Sequence, residues 1–160
     1  MTKNKRRQRP LKQIKYKFLI LCEGDTEENY FNGMKQNSDS SVSLKITNMK
    51  GGCYKSFLEE IKKTSNSNYM AKFIIIDLDV LAKNPYEKTN FINLLQYCKN
   101  ENQSKRIPIF VIINNPDFEY IACLHNPKFK GKNHLQFITN NLEYGDLSKF
   151  KNDKNIYYRY

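Results

Sequence analysis

Phe18-Leu19-Ile20-Leu21-Cys22 is an unbroken apolar run that stops on Glu23-Gly24, and Phe73-Ile74-Ile75-Ile76 is a second one that stops on Asp77-Leu78-Asp79. A short apolar run without alternation, closed by a turn signal, is how a strand buried on both faces reads. Two such strands ending in carboxylates decide the fold. Acids at the carboxyl ends of parallel strands converge on the crevice where open α/β sheets bind ligands. The competing explanation is that acids close strands as turn formers or helix caps.

Working outward, Thr26 opens a helix with apolar positions at Tyr30, Phe31 and Met34; Thr26 is its expected cap, and Glu27 and Glu28 add first-turn negative charge. Val42-Ser43-Leu44-Lys45-Ile46-Thr47 alternates with period two, as an edge or half-buried strand does, and Gly51-Gly52 breaks it. Tyr54, Phe57, Leu58 and Ile61 form a second amphipathic face. Lys72 to Ile76 is the most apolar strand and the one expected nearest the centre. After a loop at Asn84-Pro85, Phe91, Leu94, Leu95 and Cys98 follow helical spacing, and Ile107 to Ile113 reads as a fourth strand with Pro108 near its start. Asn114-Asn115-Pro116-Asp117 ends it, and Phe118, Ile121, Ala122 and His125 open a fourth helix. Four strand–helix alternations imply right-handed crossovers and an α/β fold, with a mainly parallel central sheet of about four strands and helices on both faces. Residues 1–16 read as a basic flexible arm, 17–125 as the α/β core, and 126–160, with a helical stretch near His134 to Leu142, as a C-terminal helical or irregular extension.

The chain of 160 residues carries a net charge of +11, unevenly placed. Residues 1–17 hold eight Lys/Arg and no acid, residues 18–125 hold twelve against thirteen acids, and residues 126–160 hold seven against three. Basic ends around a near-neutral core with an acidic cluster suit a nucleic acid held over a metal site, with Lys5, Arg6, Arg7 and Arg9 as backbone contacts. A solubilising tail is the alternative. No apolar run approaches the ~20 residues of a membrane span, and no secretory signal is evident, so the expected location is cytoplasmic and no membrane partner is expected. Cys22, Cys53, Cys98 and Cys123 are far apart, and three lie in apolar patterns, which reads as reduced core thiols. His125 and His134 are not spaced with cysteine as a zinc site requires, and His125 reads as a packing or capping residue. There is no G-x-S-x-G elbow and no phosphate-binding P-loop, which disfavours a serine hydrolase or an autonomous ATPase.

If the first and third strands end side by side, Glu23, Asp77 and Asp79 reach one rim and repel one another. A divalent cation would neutralise them and leave positions for a phosphate. At a strand end the chain can turn so that Asp77 and Asp79 face a shared ion, with Leu78 anchored in the core. Glu23, followed by the permissive Gly24, is the candidate general acid/base, because neighbouring acids raise its pKa. Glu27, Asp117 and Glu119 form a second tier, as further metal ligands or as supports; the alternatives are first-turn helix charge for Glu27 and Glu119 and an N-cap for Asp117. Asn115 could bind a phosphate or orient an acid.

Three segments in order, Cys22-Glu23-Gly24-Asp25-Thr26-Glu27, Asp77-Leu78-Asp79 and Asn115-Pro116-Asp117-Phe118-Glu119, resemble the RloB-like family of the wider Toprim group, over about Lys17 to His125. The first is similar to that family's C-E-G-x-x-T-E segment, the second to the Toprim D-x-D, and the third to its N-P-x-F-E segment. The resemblance implies a Toprim-like layered fold, dependence on Mg²⁺ with Mn²⁺ as a substitute, and a nuclease role in bacterial anti-phage defence, abortive infection included, often beside a partner ATPase. By the same resemblance Glu23 would be the acid/base, Asp77 and Asp79 metal ligands, and Asn115 and Glu119 part of the third element. Toprim domains also serve primases and topoisomerases, so the fold alone does not fix the function. The leading expectation is a Mg²⁺-dependent endonuclease acting on RNA or DNA; the alternative is a non-catalytic nucleic-acid-binding or ATPase-partner module with a structural metal site. Self-association into a homo-oligomer is left open.

Overall fold

The computed structural model describes residues 16–38, 41–65, 67–104 and 106–159. The basic residues Lys5, Arg6, Arg7 and Arg9 lie outside the described residues. Strands β1 (Tyr16–Cys22), β2 (Val42–Asn48), β3 (Ala71–Asp77) and β4 (Ile109–Asn114) form one sheet in the order β2-β1-β3-β4. All three strand pairs are parallel, so every strand ends on the same rim. Helices α1 (Asp25–Asn37), α2 (Tyr54–Lys63), α3 (Asp79–Lys83), α4 (Lys88–Gln103) and α5 (Phe118–Leu124) lie between and after them. Beyond α5 come the short α6 (His134–Gln136), a π-helical turn at Phe137–Asn141, α7 (Leu147–Lys151) and a 3-10 turn at Ile156–Arg159. This is the α/β architecture expected from the alternation, and it is consistent with a Toprim-like layered fold.

Successive residues of β1 and β3 feed opposite cores, which explains their unbroken apolar runs. Leu19, Leu21, Ile74 and Ile76 pack with Tyr54, Phe57, Ile61, Leu94 and Cys98 of α2 and α4 on one face. Ile20, Cys22 and Ile75 pack with Phe31, Phe118, Ala122, Phe137, Phe150 and Ile156 on the other. Burying each of the large aliphatic side chains contributes about 1.5–3 kcal/mol. The C-terminal segment therefore closes the second core, and at α1 a Cβ on Gly33 would stand 2.3 Å from Tyr157 Cβ.

Several local expectations are corrected. Strand β4 begins at Ile109, two residues later than the apolar pattern suggests. Pro108 has no N–H, but its carbonyl accepts the Lys72 N–H at 2.9 Å, and the Asn102 side chain bonds both N and O of Ile109 at 2.8 Å. As the edge strand, β4 leaves Phe110, Ile112 and Ile113 exposed despite its apolar sequence. The segment after Asp79 is helical, not a loop: α3 is followed by a 3-10 turn at Pro85–Glu87. That turn has a structural use, because Glu87 Oε2 accepts the Tyr54 N–H at 3.1 Å at the start of α2, where no side chain of α2's own cap does so. The four cysteines are free, with Cys22, Cys98 and Cys123 buried. Among the described residues no helix is long and apolar enough to cross a membrane.

Candidate active site at the carboxyl rim of the sheet

Because the strands are parallel and in register, β1 delivers Glu23, β3 delivers Asp77 and β4 delivers Asn114 to the same rim, with Asp77 and Asn114 directly paired. A cavity of about 170 Å³ opens there, lined by Glu23, Glu27, Asp77 and Glu119, with Lys151 as its cation. A larger cavity of about 400 Å³ lies on the apolar face around Phe18, Phe31 and Phe73, but no titratable side chain lines it. The chemistry belongs to the rim.

The carboxylates are held by specific contacts. Glu23 Oε2 accepts the backbone N–H of Asp77 at 3.2 Å. The Asn114 amide donates to Asp77 Oδ1 at 2.9 Å. Glu119 Oε1 accepts the Thr26 hydroxyl at 2.7 Å and lies 3.1 Å from the Lys151 ammonium. Glu27 is 3% exposed and sits against Gly24, where an added Cβ would lie 3.3 Å from Glu27 Oε2. Gly24 itself is extended, with φ of −140°, so its role is to leave room for this carboxylate and not to permit an unusual backbone.

Burial and mutual repulsion set the electrostatics. Burial pushes the Glu27 carboxyl up to about 8, with Asp77, Glu119 and Glu23 adding to the rise. Burial likewise raises Asp77 to about 7; the Asn114 hydrogen bond opposes this, while Glu23 and Glu119 reinforce it. Glu23 is also raised, first by burial, against the Asp77 N–H and with Asp79 adding repulsion. For the Lys151 ammonium, burial works downward, but Glu119 and Glu27 leave its pKa above the ordinary lysine value. Tyr54 reaches the same neighbourhood: its hydroxyl donates to Asp77 O at 3.2 Å, and burial followed by Glu23 and Asp79 pushes it to about 12.

The rim gathers Glu23, Glu27, Asp77 and Glu119, but not every sequence-derived candidate. Leu78 donates its N–H to Asn114 O at 3.0 Å, and the chain then turns into α3, whose first residue is Asp79. On that helix Asp79 pairs with Lys83 four residues on, so it does not line the cavity and does not share a face with Asp77. Leu78 is half-buried, and Val80 and Leu81 do the anchoring instead. Thr26 is not the cap of α1; Gly24 holds that position, and Thr26, 1% exposed, supports Glu119. Asp117 caps α5 through the Tyr120 N–H at 2.8 Å, and its other oxygen lies 3.2 Å from His134 Nε2. His125 is the exposed C-cap of α5, with its ring 6.4 Å from that of Tyr30. Asn115 is exposed, and the acid-orienting amide is its neighbour Asn114.

The cavity's donors are hard oxygens, the chemistry a cation such as Mg²⁺ selects. Glu27 has no ion pair among the described residues, and a cation would relieve the repulsion that raises Glu27 and Asp77. The residues present thus fit a divalent cation in chemistry. They do not form a finished cage: among the described residues no three His, Cys, Asp or Glu side chains are grouped to hold a metal ion. Water and phosphate oxygens commonly complete a Mg²⁺ shell, so one or two carboxylates suffice.

The chain has no match among curated proteins and none among solved structures. The family model described as RloB-like protein matches residues 18–159, which include the C-terminal segment carrying Lys151 as well as the three motif segments. The chain belongs to the RloB-like family.

Proposed function

We propose that the acidic rim is a metal-dependent phosphodiesterase site and that the protein is a Toprim-type endonuclease acting on RNA or DNA. The observation that carries this reading is a cavity of about 170 Å³ lined by four carboxylates against a single lysine. Such a cluster is costly without a cation and useful with one. When bound, Mg²⁺ or Mn²⁺ supplies Lewis-acid stabilisation of charge on phosphoryl oxygens. Asp77, Glu27 and Glu119 would hold the ion. Asn114 fixes the Asp77 carboxylate, while Thr26 and Lys151 fix that of Glu119. Glu23, with its raised pKa, accepts or returns the proton of the attacking or leaving oxygen. Asp79 acts at longer range, through its charge on Glu23.

Family membership supports the wider part of the reading: cytoplasmic action in anti-phage defence beside a partner ATPase. The basic arm at Lys5, Arg6, Arg7 and Arg9 would add backbone contacts. The lack of a finished three-donor cage favours a second reading, a non-catalytic nucleic-acid-binding or ATPase-partner module. Turnover separates the two. Cleavage of RNA or DNA that needs Mg²⁺ or Mn²⁺, stops with chelator and is lost in Asp77→Asn supports the nuclease; wild-type cleavage by Asp77→Asn removes the rim from the mechanism.

A further inference from the structure

Between α5 and α6 the chain reads Lys128-Phe129-Lys130-Gly131-Lys132-Asn133. Phe129 is 9% exposed and packs with Tyr120 and Phe137 at ring distances of 5.8 and 5.0 Å. Its insertion into the core leaves the flanking lysines facing solvent. Gly131 has φ of +74°, a turn that an L side chain would strain, and it brings Lys132 back to the same concavity as Lys128 and Lys130. The resulting cavity, about 210 Å³, is lined by these three ammonium groups and the amides of Asn133, Gln136 and Asn141, with no carboxylate in its wall. Among the described residues none of the three lysines forms a salt bridge; Lys130 Nζ meets only the Pro127 carbonyl, at 3.4 Å.

This basic cavity is tied directly to the acidic rim. His134, which follows the loop, lies 3.2 Å from Asp117 Oδ2, and Asp117 caps the helix that carries Glu119 into the rim. An acidic cavity repels a polyanion unless something beside it holds the chain. Three unpaired ammonium groups and three amides in a concave wall suit the separate oxygens of a phosphate better than a flat anionic surface. We infer that the Lys128–Lys132 loop is a phosphodiester-backbone site, which grips one phosphate of a nucleic-acid strand and lays the neighbouring phosphates over the rim. This deepens the nuclease reading and rests on it.

The test uses the full chain with Lys128, Lys130 and Lys132 each changed to Gln, and a companion with each changed to Arg. Fluorescently labelled oligouridine and oligothymidine are titrated by anisotropy across a salt series, in chelator so that nothing is cut. Three lost phosphate contacts, each about 0.7 of the salt slope, lower that slope by about 2 and weaken binding about 100-fold at ~0.1 M salt. The Arg variant keeps wild-type affinity, which separates a charge effect from a folding defect. Wild-type affinity and slope in the Gln variant overturn the inference and leave the nuclease reading standing. If the wild type neither binds nor cuts either polymer, the nuclease reading fails and takes this inference with it. Loss of binding to phosphatidylserine vesicles with unchanged oligonucleotide binding would also overturn it.

Discussion

Glu27 makes the electrostatic account measurable. Its carboxyl is 3% exposed and held up to about 8, against an ordinary value of 4.5. The folded state therefore keeps a proton that the unfolded chain gives up near pH 4.5. The sign follows: the protonated carboxyl's advantage is fully present below the unfolded value and is lost as pH rises through about 8. At ~1.4 kcal/mol per pKa unit, wild type loses roughly 3–5 kcal/mol from this group across that window. Glu27→Gln keeps the shape and has no such titration. Urea unfolding of both proteins in chelator at pH 5, 7 and 9 should show the variant gaining steadily on wild type, with most of the gain in place by pH 9. Adding Mg²⁺ at pH 8 should raise the stability of wild type more than that of the variant, because the cation favours the ionised carboxylate. Stability curves that stay parallel from pH 5 to 9 would refute the assignment of Glu27 as a strained buried acid.

Two further substitutions probe how the rim is built. Gly24→Ala places a Cβ 3.3 Å from Glu27 Oε2 in a backbone conformation any residue adopts, so stability should change by no more than about 1 kcal/mol while metal-dependent cleavage falls roughly ten- to hundredfold; wild-type cleavage would show that the Glu27 position is not critical. Thr26→Val removes the 2.7 Å hydrogen bond to buried Glu119 with little change of volume and should cost about 1–3 kcal/mol by urea unfolding. An unchanged midpoint would mean that Lys151 alone holds that carboxylate.

The strands and most of the rim were legible because they depend on local pattern. The runs at Phe18 to Cys22 and Phe73 to Ile76 are apolar without alternation because both sheet faces are covered. Their closing acids, Glu23 and Asp77, reach one rim because the strands are parallel neighbours. Strand order is not written in such patterns, so the run in β4 looks like those of β1 and β3 although it occupies the edge and exposes Phe110. Asp79 misleads for a different reason. Spacing from Asp77 suggests a shared ion, but α3 starts at Asp79 and gives it a partner one helical turn away in Lys83. Lys151 had no local signal: it enters the rim from a C-terminal segment with weak periodicity, to meet an acid on α5. Thr26 and Glu119 are 93 residues apart, beyond any helix or strand period. Asn114 could have been found, since it occupies the last position of a strand expected to run parallel to the one ending in Asp77.

The same local rules explain how a nearly neutral core can carry an acidic site and a basic one side by side. Parallel strands concentrate carboxylates at one rim, and α5 is capped by Asp117, whose second oxygen faces His134 at the end of the lysine loop. Charge separation within one short stretch of chain, from Glu119 to Lys132, would position a phosphate strand while the rim acts on it.

The most direct test of the central claim is hydrolysis of end-labelled RNA and DNA by the purified chain in Mg²⁺, with wild type compared to Asp77→Asn and to chelator-treated protein. Cleavage of either polymer by wild type, abolished by chelator and by Asp77→Asn with an unchanged unfolding midpoint, is the predicted result. Cleavage that persists in Asp77→Asn, or that proceeds in chelator, would contradict a metal-dependent site at the rim.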